Sequence, residues 1–120
     1  MTNNESQEMY LETILKLQKR KGTVHAIDVA EELGYSKPSV SRAVGIMKKD
    51  GFIVVRADGT IDFTDPGREK AARILDRHKS LTDALVKMGM ERGAAEENAC
   101  RVEHVLTEDA YETIKNYFKV

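Results

Sequence analysis

A chain of 120 residues with 41% hydrophobic and 32% charged residues is long enough for one compact domain or two small ones, and this composition excludes intrinsic disorder. Its single cysteine excludes an internal disulfide and favours a reducing compartment. No apolar run approaches the roughly 18 residues of a membrane span, and the polar N-terminus is unlike a signal peptide, so we expect a cytoplasmic protein without membrane contact.

Helical spacing of apolar residues predicts three helices in the N-terminal part. The first covers SQEMYLETILKLQKRK and ends at Gly22, and a short second helix, AIDVAEEL, ends at Gly34. For the third helix, Ser36 is the predicted N-cap, Pro38 occupies the first turn and Gly51 marks the end. The turn GYSKP between the second and third helices is typical of a helix-turn-helix.

A β-hairpin follows the third helix, and the rest of the chain is helical. The runs FIVV and TIDFT are rich in β-branched and aromatic residues, and Asp58-Gly59 between them is a strong hairpin signal. The helical period returns from Pro66 to about Met88. Two more helices are predicted in ERGAAEENACRVEHVL and TEDAYETIKNYF, with Thr107 as the N-cap of the last.

This order of elements predicts a mainly α fold. Residues 1–65 are predicted to form a winged helix-turn-helix domain with the β-hairpin as its wing, and residues 66–120 an α-helical domain. The charges divide in a similar way. Residues 1–56 carry nine Lys/Arg against seven Asp/Glu, whereas residues 57–120 carry ten against thirteen. The first part is therefore a candidate anion-facing surface and the second a candidate cation-facing one.

The third helix carries the side chains that are predicted to read DNA. Arg42 is long enough to reach guanine or phosphate, and the shorter polar groups around it suit bases or backbone. Arg56 lies on the wing, where phosphate contact is common. The predicted DNA-binding residues are Ser36, Lys37, Pro38, Ser39, Ser41, Arg42 and Arg56. Lys48 and Lys49 fit the helix dipole or a phosphate better than base readout.

A second group of residues has the chemistry of metal ligands. Cys100, Glu103 and His104 are spaced so that all three would lie on one face of a helix. A thiolate, a carboxylate and an imidazole are ordinary ligands of divalent transition metals. The other candidate donors are Met9, Glu12, His78 and Glu96. Taken singly, a lone Cys or Met is usually a core residue, so the spacing alone leaves both a metal site and a structural role open.

Four segments together resemble the diphtheria toxin repressor family of metal-dependent transcriptional regulators, which includes the manganese transport regulators. The segments are EMYLETIL, DVAEELGYSKPSVSRAVGIMKKDGFI, RHKSL and ACRVEHVL, and they span nearly the whole chain. The resemblance implies a winged helix domain followed by a helical metal-binding and dimerisation domain, with Fe(II) or Mn(II) as corepressor and no enzymatic activity. It also implies a homodimer on an inverted-repeat DNA operator, controlling metal uptake genes and using no organic cofactor.

The ligands implied by this resemblance mix two branches of the family. The residues that match the primary site of the iron branch are Met9, Cys100, Glu103 and His104, with the Cys100 carbonyl as an additional ligand. His78 matches a histidine used by both branches, and Glu12 matches a carboxylate of the manganese branch. Iron-branch members usually carry a third, SH3-like domain, which we expect to be absent here.

A second metal site departs from the family pattern. Thr82, beside Asp83, stands where a glutamate is usual, and Glu96 stands where the iron branch often has a histidine. The metal itself is predicted from the two sulfurs, since Mn(II) prefers oxygen donors, so Fe(II) is favoured over Mn(II). Co(II), Ni(II) or Zn(II) are expected to bind in vitro by the Irving–Williams order.

Two other functions stay open on the sequence alone. One is a winged helix regulator that needs no metal and uses Cys100 as a redox sensor, which requires an exposed and activated thiol. The other is a small metalloenzyme with a catalytic metal or a nucleophilic pair of Cys100 and His104. Ligand types alone support the metalloenzyme, because the sequence contains neither a phosphate-binding loop nor a substrate-orienting motif.

Overall fold

The computed structural model describes residues 3–120 and confirms the mainly α, winged helix fold. Within that range the elements are α1 Asn3–Lys21, α2 Ala26–Leu33, α3 Lys37–Lys49, β1 Ile53–Val55, β2 Ile61–Phe63, α4 Asp65–Lys87, α5 Arg92–Val102 and α6 Glu108–Phe118. They form two compact units, one reaching to Ala72 and the other covering Arg73–Val120. This division falls inside α4, and the domain limits 1–65 and 66–120 remain predictions.

α2 has the predicted bounds, and α3 ends at Lys49, just before the predicted stop at Gly51, whereas α1 begins at Asn3, three residues before the predicted start at Ser6. Gly22 and Gly34 follow α1 and α2 with positive φ angles of 89° and 69°, which glycine adopts at little cost. Ser36 caps α3 by accepting a hydrogen bond from the backbone N–H of Ser39 at 3.3 Å, and Pro38 lies in the first turn. The start of α3 is therefore fixed by its own sequence.

The core of the first unit joins these three helices to the hairpin. Its fully or almost fully buried apolar side chains are Leu11, Ile14, Leu17, Val24, Val29, Val40, Met47, Ile53 and Ile61. Burial of each such side chain contributes about 1.5–3 kcal/mol. Because Val40 and Met47 of α3 point inward, the opposite face of α3 is left on the surface.

The wing is a short antiparallel hairpin. Ile53 pairs with Phe63 and Val55 with Ile61, and the turn between the strands contains Asp58 and Gly59, as predicted. The chain then enters α4 close beneath the hairpin: a Cβ at Gly67 would lie only 1.8 Å from the carbonyl oxygen of Phe52. Only glycine fits this approach, which ties the wing to the start of α4.

The second unit is a three-helix cluster. Leu81 of α4, Ala99 of α5 and Tyr111 of α6 form its buried centre, and Leu85, Leu106 and Ile114 pack around them. Thr107 caps α6 by accepting from the N–H of Ala110 at 3.2 Å, as predicted. Among the helices of the described part of the chain, none is both long and apolar enough to cross a membrane.

The prediction of a continuous helix through ERGAAEENACRVEHVL was wrong at its C-terminal end. α5 stops at Val102, with Glu103 as its C-cap. The N–H groups of Val105 and Leu106 both turn back to the carbonyl of Val102, at 3.1 and 3.2 Å, and this closes a tight turn. Glu103 and His104 therefore lie in the turn between α5 and α6 and not on a helical face.

Candidate metal centre and nucleic-acid interface

A buried carboxylate lies between two imidazoles in the second unit. Oε2 of Glu103 is 2.7 Å from Nδ1 of His78, and Oε1 is 3.1 Å from Nε2 of His104. Glu103 is only 1% exposed, and both histidine side chains are largely buried. A buried carboxylate costs several kcal/mol unless positive charge compensates it. The cluster therefore suits either a protonated imidazole or a divalent cation, and its donor types fit a transition metal.

The turn after α5 produces this arrangement. His78 projects from α4, whereas Glu103 ends α5 and His104 follows it directly. Cys100, Glu103 and His104 were predicted to share one helical face, but Glu103 and His104 lie in the turn that replaces the end of the helix. Cys100 lies in the last turn of α5 and is half-buried. Its role as a ligand remains a prediction.

Arg77 holds this turn in place, although it was not among the residues predicted for the site. Its guanidinium donates to the carbonyl oxygens of Glu103 at 2.9 Å and Thr107 at 3.4 Å. It also lies 3.3 Å from Oε2 of Glu108 and stacks 4.8 Å from the ring centre of Tyr111. One charged side chain thus supports the residues on both sides of His104. The only sequence signal for this is its place next to His78.

The residues at which a second metal site would depart from the family pattern each have their own contacts. Thr82 is buried, and its hydroxyl donates back to the carbonyl of His78 at 2.8 Å. Asp83 lies 3.6 Å from the guanidinium of Arg92, and Glu96 is exposed on α5. Thr82 therefore supports the helix that carries His78, and metal binding by Glu96 remains a prediction.

Met9 and Glu12 lie one turn apart on α1, in the first unit. The hydroxyl of Tyr35 is 3.5 Å from the sulfur of Met9, which connects α1 to the turn before α3. Glu12 is buried, and its carboxylate lies 2.8 Å from Nζ of Lys16. These two residues offer a thioether and a carboxylate from the unit that contains the winged helix.

The outer face of α3 presents most of the predicted DNA-binding residues. Lys37, Pro38, Ser41 and Arg42 are exposed, as is Ser36, whereas Ser39 is half-buried. The hydroxyl of Ser36 donates to that of Ser39 at 2.9 Å, so these two serines act together in capping the helix. On the wing, Arg56 is exposed and lies 2.6 Å from a carboxylate oxygen of Asp62. The roles of all these residues in DNA binding remain predictions.

One apolar residue on the same face was not predicted. Ile46 follows Arg42 by one helical turn and is 57% exposed. An apolar side chain on a DNA-reading helix can contact the methyl group of thymine. Ile46 was not predicted because the candidates on α3 were chosen mainly for their hydrogen-bond donors.

Comparisons with known proteins cover both units. A sequence model of the N-terminal DNA-binding domain of iron-dependent repressors matches residues 3–61, and one of their metal-binding and dimerisation domain matches residues 64–119. The diphtheria toxin repressor of Corynebacterium diphtheriae is 35% identical over 106 residues, which cover 85% of this chain and 46% of that protein. An HTH-type transcriptional regulator of Methanocaldococcus jannaschii is 28% identical over 118 residues, covering 97% and 94%.

The fold is also found among solved structures. A manganese-dependent transcriptional repressor in complex with manganese matches with a TM-score of 0.86 and 23% identity, over 94% of this chain and 52% of that one. At that identity the likeness concerns the fold alone. The chain spans about half the length of the diphtheria toxin repressor that it matches.

Proposed function

The chain belongs to the iron-dependent repressor family, and from that premise we propose that it is a metal-dependent DNA-binding transcriptional repressor. The observation that carries the proposal is the buried Glu103 carboxylate between the imidazoles of His78 and His104. A winged helix with an exposed polar face in the same chain supplies the means to bind DNA. The protein then acts by binding and not by catalysis.

The proposed metal ligands come from both units. His78, Glu103 and His104 form the buried part of the donor set, and the other proposed donors are Met9, Glu12, Glu96 and Cys100, the last through its thiolate or its carbonyl. A bound divalent ion would supply the positive charge that the buried carboxylate requires. Arg77 and Thr82 would keep the turn and α4 in the geometry that presents these donors.

Ligands on two units make metal affinity and DNA affinity depend on each other. By linkage, the arrangement of the units that binds DNA must also be the one that binds metal better, with a coupling of about 1–3 kcal/mol per site. The donors of α1 have a direct path to the DNA-reading surface, since Met9 contacts Tyr35 and Tyr35 precedes the N-cap of α3.

Fe(II) is the proposed physiological metal. Met9 and Cys100 offer soft sulfur donors, and Mn(II) prefers oxygen. The test is the free metal concentration that activates DNA binding, titrated anaerobically with each metal. The double variant Met9→Asp, Cys100→Glu should shift the response from Fe(II) toward Mn(II). A wild-type protein that already responds to Mn(II) at lower concentration than to Fe(II) would show that the sulfurs do not set the preference.

The proposed DNA target is an inverted repeat bound by a homodimer, placed before metal uptake genes. A two-fold dimer presents two α3 helices to two half-sites. Arg42 is the residue proposed to contribute most to base readout. Replacing it by Ala should weaken binding to the preferred site much more than binding to unrelated DNA, while the dimer persists.

The function is tested by gel shift with a duplex selected from a random pool by the Fe(II)-loaded protein. We expect the shift to disappear on chelation and to return when Fe(II) is added back. His104→Ala should abolish the metal response, whereas Glu97→Gln, on the exposed side of α5, should keep it. DNA binding that survives chelation would contradict the proposal.

A further inference from the structure

Two arginines in the first unit share one carboxylate at the wing. Asp62 on β2 lies across from Val54. Its Oδ2 is 2.6 Å from Nη2 of Arg56, which follows β1, and its Oδ1 is 3.5 Å from Nη2 of Arg68 in the first turns of α4. Hairpin and helix are therefore joined by a charge bridge on the outer surface of the wing.

Two further groups, besides the arginines, fix the position of the Asp62 carboxylate. Oδ1 of Asp62 accepts from the backbone N–H of Phe63 at 2.8 Å and lies 3.3 Å from Nε2 of Gln18 on α1. The hydrogen bond from Arg56, followed by the one from the Phe63 N–H, lowers the pKa of Asp62, so it stays anionic at neutral pH. The guanidinium of Arg68 also lies 5.4 Å from the ring centre of Phe63.

Both arginine side chains are exposed to solvent although each forms an ion pair with Asp62. Arg56 and Arg68 are 61% and 56% exposed, whereas Asp62 is 32% exposed. A guanidinium has five N–H donors in a fixed fork, so each arginine keeps most of its donors for another partner. Exposed ion pairs contribute little to stability, so stability alone gives little reason for three charges to converge here. The trio retains a net charge of +1.

We propose that Asp62 holds Arg56 and Arg68 as a two-arginine clamp for the phosphate backbone of duplex DNA. This inference rests on the proposed function and adds Arg68 and Asp62 to the DNA-binding surface. Guanidinium forks match phosphate oxygens, and ordering both side chains before DNA arrives reduces the entropy lost on binding. Because phosphates are the same at every base step, the clamp increases affinity for all sequences alike.

Two opposite effects of Asp62 on DNA make the clamp testable. As a fixed negative charge, Asp62 repels phosphates, and removing it would strengthen binding if nothing else changed. Asp62 also positions the two arginines, and without it both side chains would be mobile. We expect positioning to dominate, so Asp62→Ala should weaken DNA binding about three- to tenfold, the effect of ordering one long side chain or more.

The experiment measures binding of the full chain with Fe(II) to the preferred duplex and to an unrelated duplex over a range of KCl concentrations. Arg56→Ala and Arg68→Ala should each reduce the slope of log K against log salt by about one, on both duplexes. The matched control is Arg20→Ala, which breaks another exposed arginine–carboxylate pair, that of α1 with Glu32 on α2 at 2.9 Å, and does not touch Asp62 or either clamp arginine. It should leave the slope unchanged.

An unchanged slope in Arg68→Ala, or tighter binding in Asp62→Ala, would overturn the clamp. Circular dichroism checks that each variant is folded, and if Asp62→Ala is not, the slopes of the two arginine variants decide. Failure of the clamp is distinct from failure of the proposed function. In the first case the wild type still binds DNA in response to Fe(II) and loses its site preference in Arg42→Ala; in the second the wild type shows no metal-dependent binding.

Discussion

Glu103 is the residue on which the proposed metal centre depends most. Its carboxylate is buried and contacts an imidazole on each oxygen. The two histidines come from different elements, His78 from α4 and His104 from the turn after α5. A single carboxylate therefore brings together donors that lie 26 positions apart in the chain.

Glu103→Gln tests this role, since it keeps the size of the side chain and removes its charge. We expect the Kd for Co(II) to rise by about 100-fold or more, beyond the about 10- to 100-fold that loss of an outer-shell partner costs. Isothermal titration under nitrogen measures it. Glu97→Gln is the control, because Glu97 is exposed on α5 and pairs with Arg101 at 3.4 Å. An unchanged Kd would mean that Glu103 is not a metal ligand and only forms hydrogen bonds to the imidazoles.

The helices and strands show where sequence patterns suffice. Gly22, Gly34 and the Asp58-Gly59 pair each mark a turn that depends on local backbone chemistry, and each prediction was confirmed. Between Val102 and Thr107 there is no glycine or proline, so the sequence pattern predicted a helix that continues through this segment. The break there follows from the extended N-cap Thr107 and from Arg77, which holds the carbonyls on both sides.

The candidate site likewise contains features that could be predicted from the sequence and features that could not. Ligand types could be recognised in the sequence because Cys, His and Glu carry their chemistry with them. The support given by Arg77 and the bridge at Asp62 could not, because each depends on contacts between residues distant in the chain. Ile46 was not predicted because the residues proposed to read DNA were selected mainly for their polar groups.

Asp28 provides a test at the level of one helix. Its carboxylate accepts from the N–H of His25 at 2.8 Å at the start of α2 and lies 2.5 Å from Nζ of Lys21. We expect Asp28→Ala to lower the free energy of unfolding by about 1 kcal/mol at pH 7. The hydrogen bond from Lys21, and next the one from the His25 N–H, lower the pKa of Asp28 in the folded protein.

The sign of the pH dependence follows from that shift. A carboxyl whose pKa is lower in the folded state stabilises fully above its unfolded value, near 3.8, and loses this contribution as the pH falls through the lower folded value. The difference between wild type and Asp28→Ala should therefore shrink in acid. Urea unfolding at several pH values measures it, with the exposed Glu31→Ala as control. A difference that grows in acid would contradict this account.

In the proposed function, the molecule combines DNA reading and metal binding in two units of one chain. The winged helix lies in the first unit, and the buried imidazole–carboxylate cluster lies in the second. Under this proposal neither unit alone would respond to metal by binding DNA, and the proposed ligands on α1 would make the chain a switch. A metal-independent redox sensor at Cys100 or a small metalloenzyme would require no such division.

The second unit is also expected to form the dimer. Tyr117 is 79% exposed and packs edge-to-face on Phe118, with ring centroids 4.9 Å apart. Other large apolar side chains exposed in this unit are Met88, Val102 and Val105. We expect a homodimer with or without metal, because exposed aromatic residues and methionine are enriched at protein interfaces.

Sedimentation equilibrium at micromolar concentration measures the dimer. Tyr117→Glu should raise its dissociation constant by about tenfold or more, as expected for loss of an aromatic anchor. Tyr117→Phe, which keeps the ring, should change it little. A wild-type monomer with Fe(II) present would refute the dimer, and an unaffected Tyr117→Glu would place the interface elsewhere.

The most direct test of the central claim is whether metal and DNA increase each other's affinity by the same factor. Fluorescence anisotropy gives the Kd for the preferred duplex with chelator and with saturating Fe(II); titration gives the Kd for Fe(II) with and without that duplex. A coupling of about 1–3 kcal/mol predicts that both ratios are equal and lie between about 5 and 150. If Fe(II) binds equally well with and without DNA, and DNA binds equally well with and without Fe(II), the protein is not a metal-dependent repressor.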